Sequence, residues 1–212
     1  MGLELTGEQL EAFAAFHEAI YAANAVMNLT RVPPEEAWLR HYLDSILFQD
    51  LIPVRAKVLD LGTGPGFPSW PLACARPDLK VTALDSSGKM LGFLRTQPLS
   101  NLEVVQGRAE EFGHREKFEI VTGRAVAPLA AQLEVSAAPC AVGGFVIPMR
   151  TPNEPFDTVR LEPLGLVLRD VVTRPLAGTD VVRAFPRYEK LAKTDRKYPR
   201  RWAEIKEKGL GL

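Results

Sequence analysis

The chain has 212 residues, of which 46% are hydrophobic and 25% charged, and its 26 basic residues balance its 26 acidic ones. These proportions exclude a disordered or fibrous polymer, and at roughly 150 residues per domain they predict one domain with a modest appendage. No run reaches the roughly 18 apolar residues that span a bilayer, and Glu4, Glu8 and Glu11 stand where a secretory leader would be basic, so a cytoplasmic protein is expected.

From Thr6 to about Asn24 apolar residues recur at helical spacing (Leu10, Phe13, Ala14, Phe16, Ile20, Tyr21), with Thr6 as N-cap. Pro33 and Pro34 suit the first turn of a second helix, with Glu35 and Glu36 at its positive end and Trp38, Tyr42, Leu43, Ile46 and Leu47 as its apolar stripe. These helices form an N-terminal appendage, residues 1–53.

After Pro53 the pattern changes to short apolar runs: KVLDL (57–61), VTALD (81–85), LEVVQ (102–106), FEIVTG (118–123) and GGFVIPM (143–149). Helices are expected near 68–76, 87–97 and 125–139. Apolar strands alternating with helices predict a parallel sheet covered on both faces. LVLRDVV (166–172) and DVVRAF (180–185) lie close in sequence and predict an antiparallel hairpin finishing the sheet. The fold class expected is therefore α/β, a Rossmann-like, mostly parallel seven-stranded sheet over residues 54–187. Cys74 and Cys140, far apart in apolar settings, form neither a disulfide framework nor a metal-ligand pair.

The neutral total hides an asymmetry. Residues 1–140 hold 12 Lys and Arg against 17 Asp and Glu, net −5, and residues 141–212 hold 14 against 9, net +5. The excess is concentrated in a basic C-terminal tail, residues 188–212, beside Tyr188, Tyr198 and Trp202. Such a tail suits a phosphate backbone with stackable bases, or is simply a solvated end.

The sharpest chemical signal is VLDLGTGPGFPSWPLA (58–73), in which Gly62, Gly64 and Gly66 follow the first strand and precede a helix. Glycines there bring a ligand close to backbone N–H groups. The G-x-G-x-G spacing after Asp60 departs from the pyrophosphate pattern G-x-G-x-x-G, which disfavours a dehydrogenase and favours a ligand without phosphates. Asp60 suits a cationic amino acid or sulfonium, and equally a capping role in the glycine turn. Asp85 ends the second strand, where a carboxylate accepts from both ribose hydroxyls. Ala109 and Glu110 follow the third strand, where a backbone N–H and a carboxylate meet an adenine. Three successive strand ends thus describe an adenosine pocket.

That pocket resembles the pocket of S-adenosylmethionine-dependent methyltransferases. Ordered blocks narrow the resemblance: NLT (28–30), RHYLDS (40–45), the glycine loop, LDSSGK (84–89), VVQGRAEEF (104–112), GRAVAPL (123–129) and YPRRWAEIKEKGL (198–210) are similar to the glucose-inhibited division protein B family. The resemblance implies methylation of guanine N7 in the 530 loop of 16S ribosomal RNA, on the RNA or the small subunit, with S-adenosylmethionine as cofactor; no metal-ligand cluster stands out in the sequence, and a monomer is expected. It places Gly62 and Phe67 on the methionine and adenosine side, Asp85 at the ribose, Ala109 and Glu110 at the adenine, and Arg124 closing the pocket. Lys89, Arg108 and Arg124 match basic residues around the RNA and the reaction site, with no general base, and His41 and Asp44 match the N-terminal block. Arg187 and, in the tail, Lys197, Arg200 and Arg201 are expected to meet phosphates. The sequence departs from the family at Ser69 and Trp70 after the glycine loop, at Met90, and at Gly123 in place of serine. A methyltransferase with another acceptor and a non-catalytic ribosome-binding factor are the alternatives.

Overall fold

In the computed structural model, which describes residues 3–211, the five apolar runs become β1 (Lys57–Leu61), β2 (Lys80–Asp85), β3 (Leu102–Gln106), β4 (Phe118–Arg124) and β5 (Cys140–Met149). All five are parallel, and β6 (Leu166–Pro175) and β7 (Val182–Lys190) complete a seven-stranded sheet of order β3-β2-β1-β4-β5-β7-β6. β7 runs antiparallel to both neighbours and lies between β5 and β6. Its first residues therefore reach the sheet edge where the parallel strands end.

The helix α1 (Gly7–Met27) begins with a reciprocal cap: Gln9 N donates to Thr6 Oγ1 (3.3 Å) and Thr6 N donates to Gln9 Oε1 (2.8 Å). It buries Phe13, Phe16 and Ile20, while Leu10 is 53% exposed, so the apolar stripe is narrower than its spacing implies. The second expected helix is not a uniform one. α2 (Pro34–Ala37) passes through a π-helical stretch, Trp38–Leu43, into α3 (Asp44–Ile46). His41, Tyr42, Asp44 and Ser45 are all buried there, a wider arc than an α-helical stripe supplies.

The sheet helices α4 (Ser69–Ala75), α5 (Gly88–Leu94) and α6 (Leu129–Ala137) are shorter than their sequence patterns imply. In particular, residues 125–128 precede α6 as a loop, which Ala125 enters at φ +54° and Pro128 ends. α1 shares an apolar cluster with α4 and α5, where Trp70 stacks on Phe16 at 4.0 Å between ring centroids and donates Nε1 to Gln97 O (3.0 Å). Trp70 thus packs inward against α1.

The C-terminal segment folds back onto the domain. Arg115 donates to the carbonyls of Thr194 and Tyr198, α7 (Trp202–Glu207) buries Ile205, and Leu210 O accepts from Arg160 N. Lys190 has no exposed surface; its ammonium donates to Ala137 O, Leu164 O and Thr194 Oγ1, and burial pulls its pKa down to about 8. Tyr188 is fully buried, with its hydroxyl donating to Phe156 O, and Tyr198 is 8% exposed. These rings belong to the core and are not a stacking surface for bases.

Candidate active site

The glycine loop turns at the end of β1 with positive φ at Gly62 (69°), Gly64 (58°) and Gly66 (121°). At Gly66 a Cβ would meet Leu94 Cδ1 at 2.8 Å, so both the backbone angle and the packing call for glycine. The loop is tied to β2: Gly62 N and Thr63 N donate to Leu84 O, and Gly64 N donates to Asp85 Oδ2 (2.8 Å). Asp85 Oδ1 accepts from Ser87 N (2.8 Å), while Ser87 itself caps α5 by accepting from Met90 N. The Asp85 carboxylate therefore joins two strand ends and still has lone pairs for hydroxyl donors.

A cavity of about 340 Å³ opens at these carboxyl ends, bounded by Gly62, Asp85, Ala109, Glu110, Val126 and Trp202. Of the expected cofactor residues, Gly62, Asp85, Ala109 and Glu110 line it, and Arg108 stands at its rim, half exposed and 3.5 Å from Glu110. Gly64, Gly66, Asp60 and Phe67 are not among its lining residues. Lys89 is exposed in the first turn of α5, outside the lining. Trp202 is a wall residue whose role the sequence reading missed, having grouped it with the basic tail.

Asp60 is completely buried. Its Oδ2 accepts from Ser69 N (3.1 Å), and its Oδ1 has no hydrogen-bond partner among the described residues. Burial raises its carboxyl to about 7, against hydrogen bonds from Thr63 and Ser69 that favour the charged form. Ser69 has a definite task here: its hydroxyl also meets Thr63 Oγ1 at 2.5 Å. An orphaned buried carboxylate oxygen beneath the glycine loop suits a cationic group, and the cavity above suits an adenosine.

Arg124 does not close this cavity. Its guanidinium turns from the end of β4 toward the N-terminal helices, donating Nη1 to Arg40 O (3.0 Å) and Asp44 Oδ2 (3.1 Å) and Nη2 to His41 Nδ1 (3.2 Å). Since arginine only donates, His41 Nδ1 accepts, and Nε2 carries the proton given to Thr30 Oγ1 (2.7 Å). Burial pushes His41 down to about 3, and the Arg124 and Arg40 charges add to that, so the ring is neutral. Its face lies on Phe67 at 4.2 Å.

Arg40, His41, Asp44 and Arg124 line a second cavity of about 380 Å³, which shares the lining residue Ala125 with the first. Arg183, from the start of β7, donates to both oxygens of Asp44 (2.8 and 3.3 Å). Arg150 pairs with Glu154 and donates to Ala127 O and Gln132 Oε1. Gly123 permits this corner: a Cβ would come within 2.6 Å of Leu61 O. Arg183, Arg150 and Glu154 were missed by the sequence reading. The available signal was topological, since an antiparallel strand begins at the edge where parallel strands end.

The tail cations separate into different roles. Arg200 is committed to the fold, its guanidinium and backbone N–H donating to fully buried Glu134 at 2.6–2.9 Å. Arg187 is paired with Asp170 on the terminal hairpin. Lys197 pairs with Asp195 at 3.3 Å and remains exposed. Arg201 is exposed beside Arg108 and Trp202, around a cavity of about 330 Å³ that shares Arg108, Glu110 and Trp202 with the first. Among the described residues no group of three or more His, Cys, Asp or Glu side chains could hold a metal ion, and no helix is long and apolar enough to cross a membrane.

Comparison with known proteins gives the family and the fold. The chain is 34% identical over 226 residues to Ribosomal RNA small subunit methyltransferase G of Lactobacillus johnsonii, covering 99% of this chain and 95% of the relative. It is 37% identical over 224 residues to the protein of the same name from Caldanaerobacter subterraneus subsp. tengcongensis, covering 99% and 94%. Among solved structures, a SAM-dependent methyltransferase from Aquifex aeolicus superposes with a TM-score of 0.55 at 17% identity, over 74% of this chain and 93% of that one. TYW2 of M. jannaschii in complex with AdoMet gives 0.57 at 16% identity, over 73% and 78%. These two share the fold. Residues 9–158 match the GidB family, described as rRNA small subunit methyltransferase G, and the chain belongs to that family.

Proposed function

We propose that the chain transfers the methyl group of S-adenosylmethionine to N7 of a guanosine in the 530 loop of 16S ribosomal RNA, in the cytoplasm. The observation that carries this reading is an adenosine-sized cavity at the strand ends that shares a lining residue, Ala125, with an arginine-lined one. Family membership supports ribosomal RNA as the acceptor.

When bound, S-adenosylmethionine supplies an electrophilic methyl group on a sulfonium centre. On this chain Asp85 would accept the ribose hydroxyls, Ala109 N–H and Glu110 would meet the adenine, and fully buried Asp60, with its orphaned Oδ1, would favour the cationic methionine part through its charge without lining the cavity. Guanine N7 has an in-plane lone pair and no proton, so the acceptor requires no general base. The neutral His41, with Nδ1 already occupied by Arg124, is consistent with that. The protein's contribution is then to hold the base in line near Ala125 and to exclude water, an entropic effect that supplies several kcal/mol. Extruding the guanine costs a few kcal/mol, least in a loop, and exposed Lys89, Arg108 and Arg201 would offset this at the rim.

The test is transfer of labelled methyl to unmodified small subunits and to stripped 16S RNA, mapped by cleavage specific for N7-methylguanosine. A single cut in the 530 loop is expected. Transfer to another site or to neither substrate, with cofactor binding intact, would reject the acceptor.

A further inference from the structure

The charges around the second cavity do not cancel. Arg40 is paired with Glu36 and Arg150 with Glu154, and burial keeps His41 neutral. What remains is one carboxylate, Asp44, 1% exposed, between two guanidinium groups: Arg124 at 3.1 Å and Arg183 at 2.8 Å. Asp60, the other carboxylate near Arg124, lies beneath the glycine loop and lines neither cavity. The cluster therefore carries one uncompensated positive charge facing an open space.

Its donors are also incompletely used. Arg183 gives Nε and Nη2 to Asp44, and its Nη1 has no hydrogen-bond partner among the described residues. Its side chain is 25% exposed, and it lines the cavity together with Asp44, Arg124 and His41. Asp44 thus holds the guanidinium in place without consuming all of its donors, the preorganised form in which arginine recognises phosphate. The acceptor base offers a poor match for this charge, because a guanine ring becomes positive as it accepts a methyl group. A phosphodiester carries one negative charge and keeps it through the reaction.

We propose that Arg183, braced by Asp44, binds one RNA phosphodiester next to the target nucleotide and so positions the base near Ala125. The inference rests on RNA as the acceptor. It makes Asp44 a positioning residue and separates a base-facing side of the cavity, at Arg124 and Ala125, from a backbone-facing side at Arg183.

The experiment compares wild type, Arg183→Ala and Arg183→Lys for RNA binding across a salt series, for the KM and kcat of methyl transfer, and for cofactor affinity. Arg183→Ala is expected to weaken RNA binding and raise KM about tenfold, to reduce the slope of log K against log salt by about 0.7, and to leave cofactor affinity within about twofold. Arg183→Lys should keep the slope. An unchanged slope in folded Arg183→Ala would overturn the proposal and leave Arg183 as a brace for Asp44 alone. A second arm uses wild-type protein and RNA with a neutral methylphosphonate at either linkage flanking the target guanosine. Loss of binding at one linkage is expected even if Arg183→Ala does not fold, and equal binding at both would overturn the proposal. Failure of wild type to methylate unmodified RNA or subunits would instead remove the underlying acceptor reading.

Discussion

His41 lies face to face on Phe67, with ring centroids 4.2 Å apart and the planes 9° from parallel. The contact joins the N-terminal helices to the loop after the glycine turn, and the imidazole edge accepts from Arg124 while donating to Thr30. One neutral ring thus ties four parts of the chain together in the wall of the second cavity.

This neutrality has a pH signature. Burial holds His41 near 3 in the folded chain against 6.5 for the free side chain, so the folded state resists a proton that the unfolded state accepts. The stability involved is fully present above pH 6.5 and is lost as the pH falls toward 3. Urea melts at pH 7.5 and pH 5 should show a larger loss for wild type than for His41→Gln, and equal losses would place the proton elsewhere.

Asp60 behaves in the opposite sense. Its carboxyl is raised by burial from 3.8 to about 7, so its contribution is present below pH 3.8 and is lost as the pH rises to about 7. Asp60→Asn should therefore flatten the stability profile between pH 4 and 7, by up to about 4 kcal/mol at 1.36 kcal/mol per unit. If its charge favours the cofactor's cationic part, the same variant also binds cofactor more weakly. Calorimetric titration at pH 8 measures that directly, and unchanged affinity would leave Asp60 as a turn residue only.

Asp85→Ala removes the acceptor shared by Gly64 N and Ser87 N as well as the hydroxyl partner in the cavity. A loss of at least tenfold in cofactor affinity, about 1.4 kcal/mol, is expected in calorimetry. Unchanged affinity would remove Asp85 from the binding surface.

Neighbouring arginines in the C-terminal segment should respond differently. Arg200→Ala strands Glu134, which has no exposed surface, and should cost about 3–5 kcal/mol of stability in denaturant melts. Arg201→Ala, at an exposed side chain, should change stability by less than about 0.5 kcal/mol. Comparable melts for both would mean that the Glu134 pair contributes little.

The parallel strands and the closing antiparallel hairpin were legible because they depend on local patterns: short apolar runs between helical stretches, and two strand-like runs close in sequence at the end. The acceptor side was harder to read. Arg183 and Asp44 are 139 positions apart, and nothing near either residue marks the other as its partner. The π-helical stretch that accompanies buried His41 carries no distinctive composition, and Arg200 looks like any tail cation until Glu134 is found beneath it. Charge runs report how many cations exist, and only packing reveals which are already paired.

The position of β7 between β5 and β6 has a further consequence. The cofactor side is built mainly from β1, β2, β3 and the turns after them, whereas the acceptor side requires the first residues of β7 to meet residues 40–44. A partial opening that releases β7 would erase the phosphate-facing half while leaving the glycine turn and Asp85 in place. Native-state hydrogen exchange should then find two cooperative units, the less protected containing Arg183, so that the chain can retain its cofactor while it loses its grip on RNA.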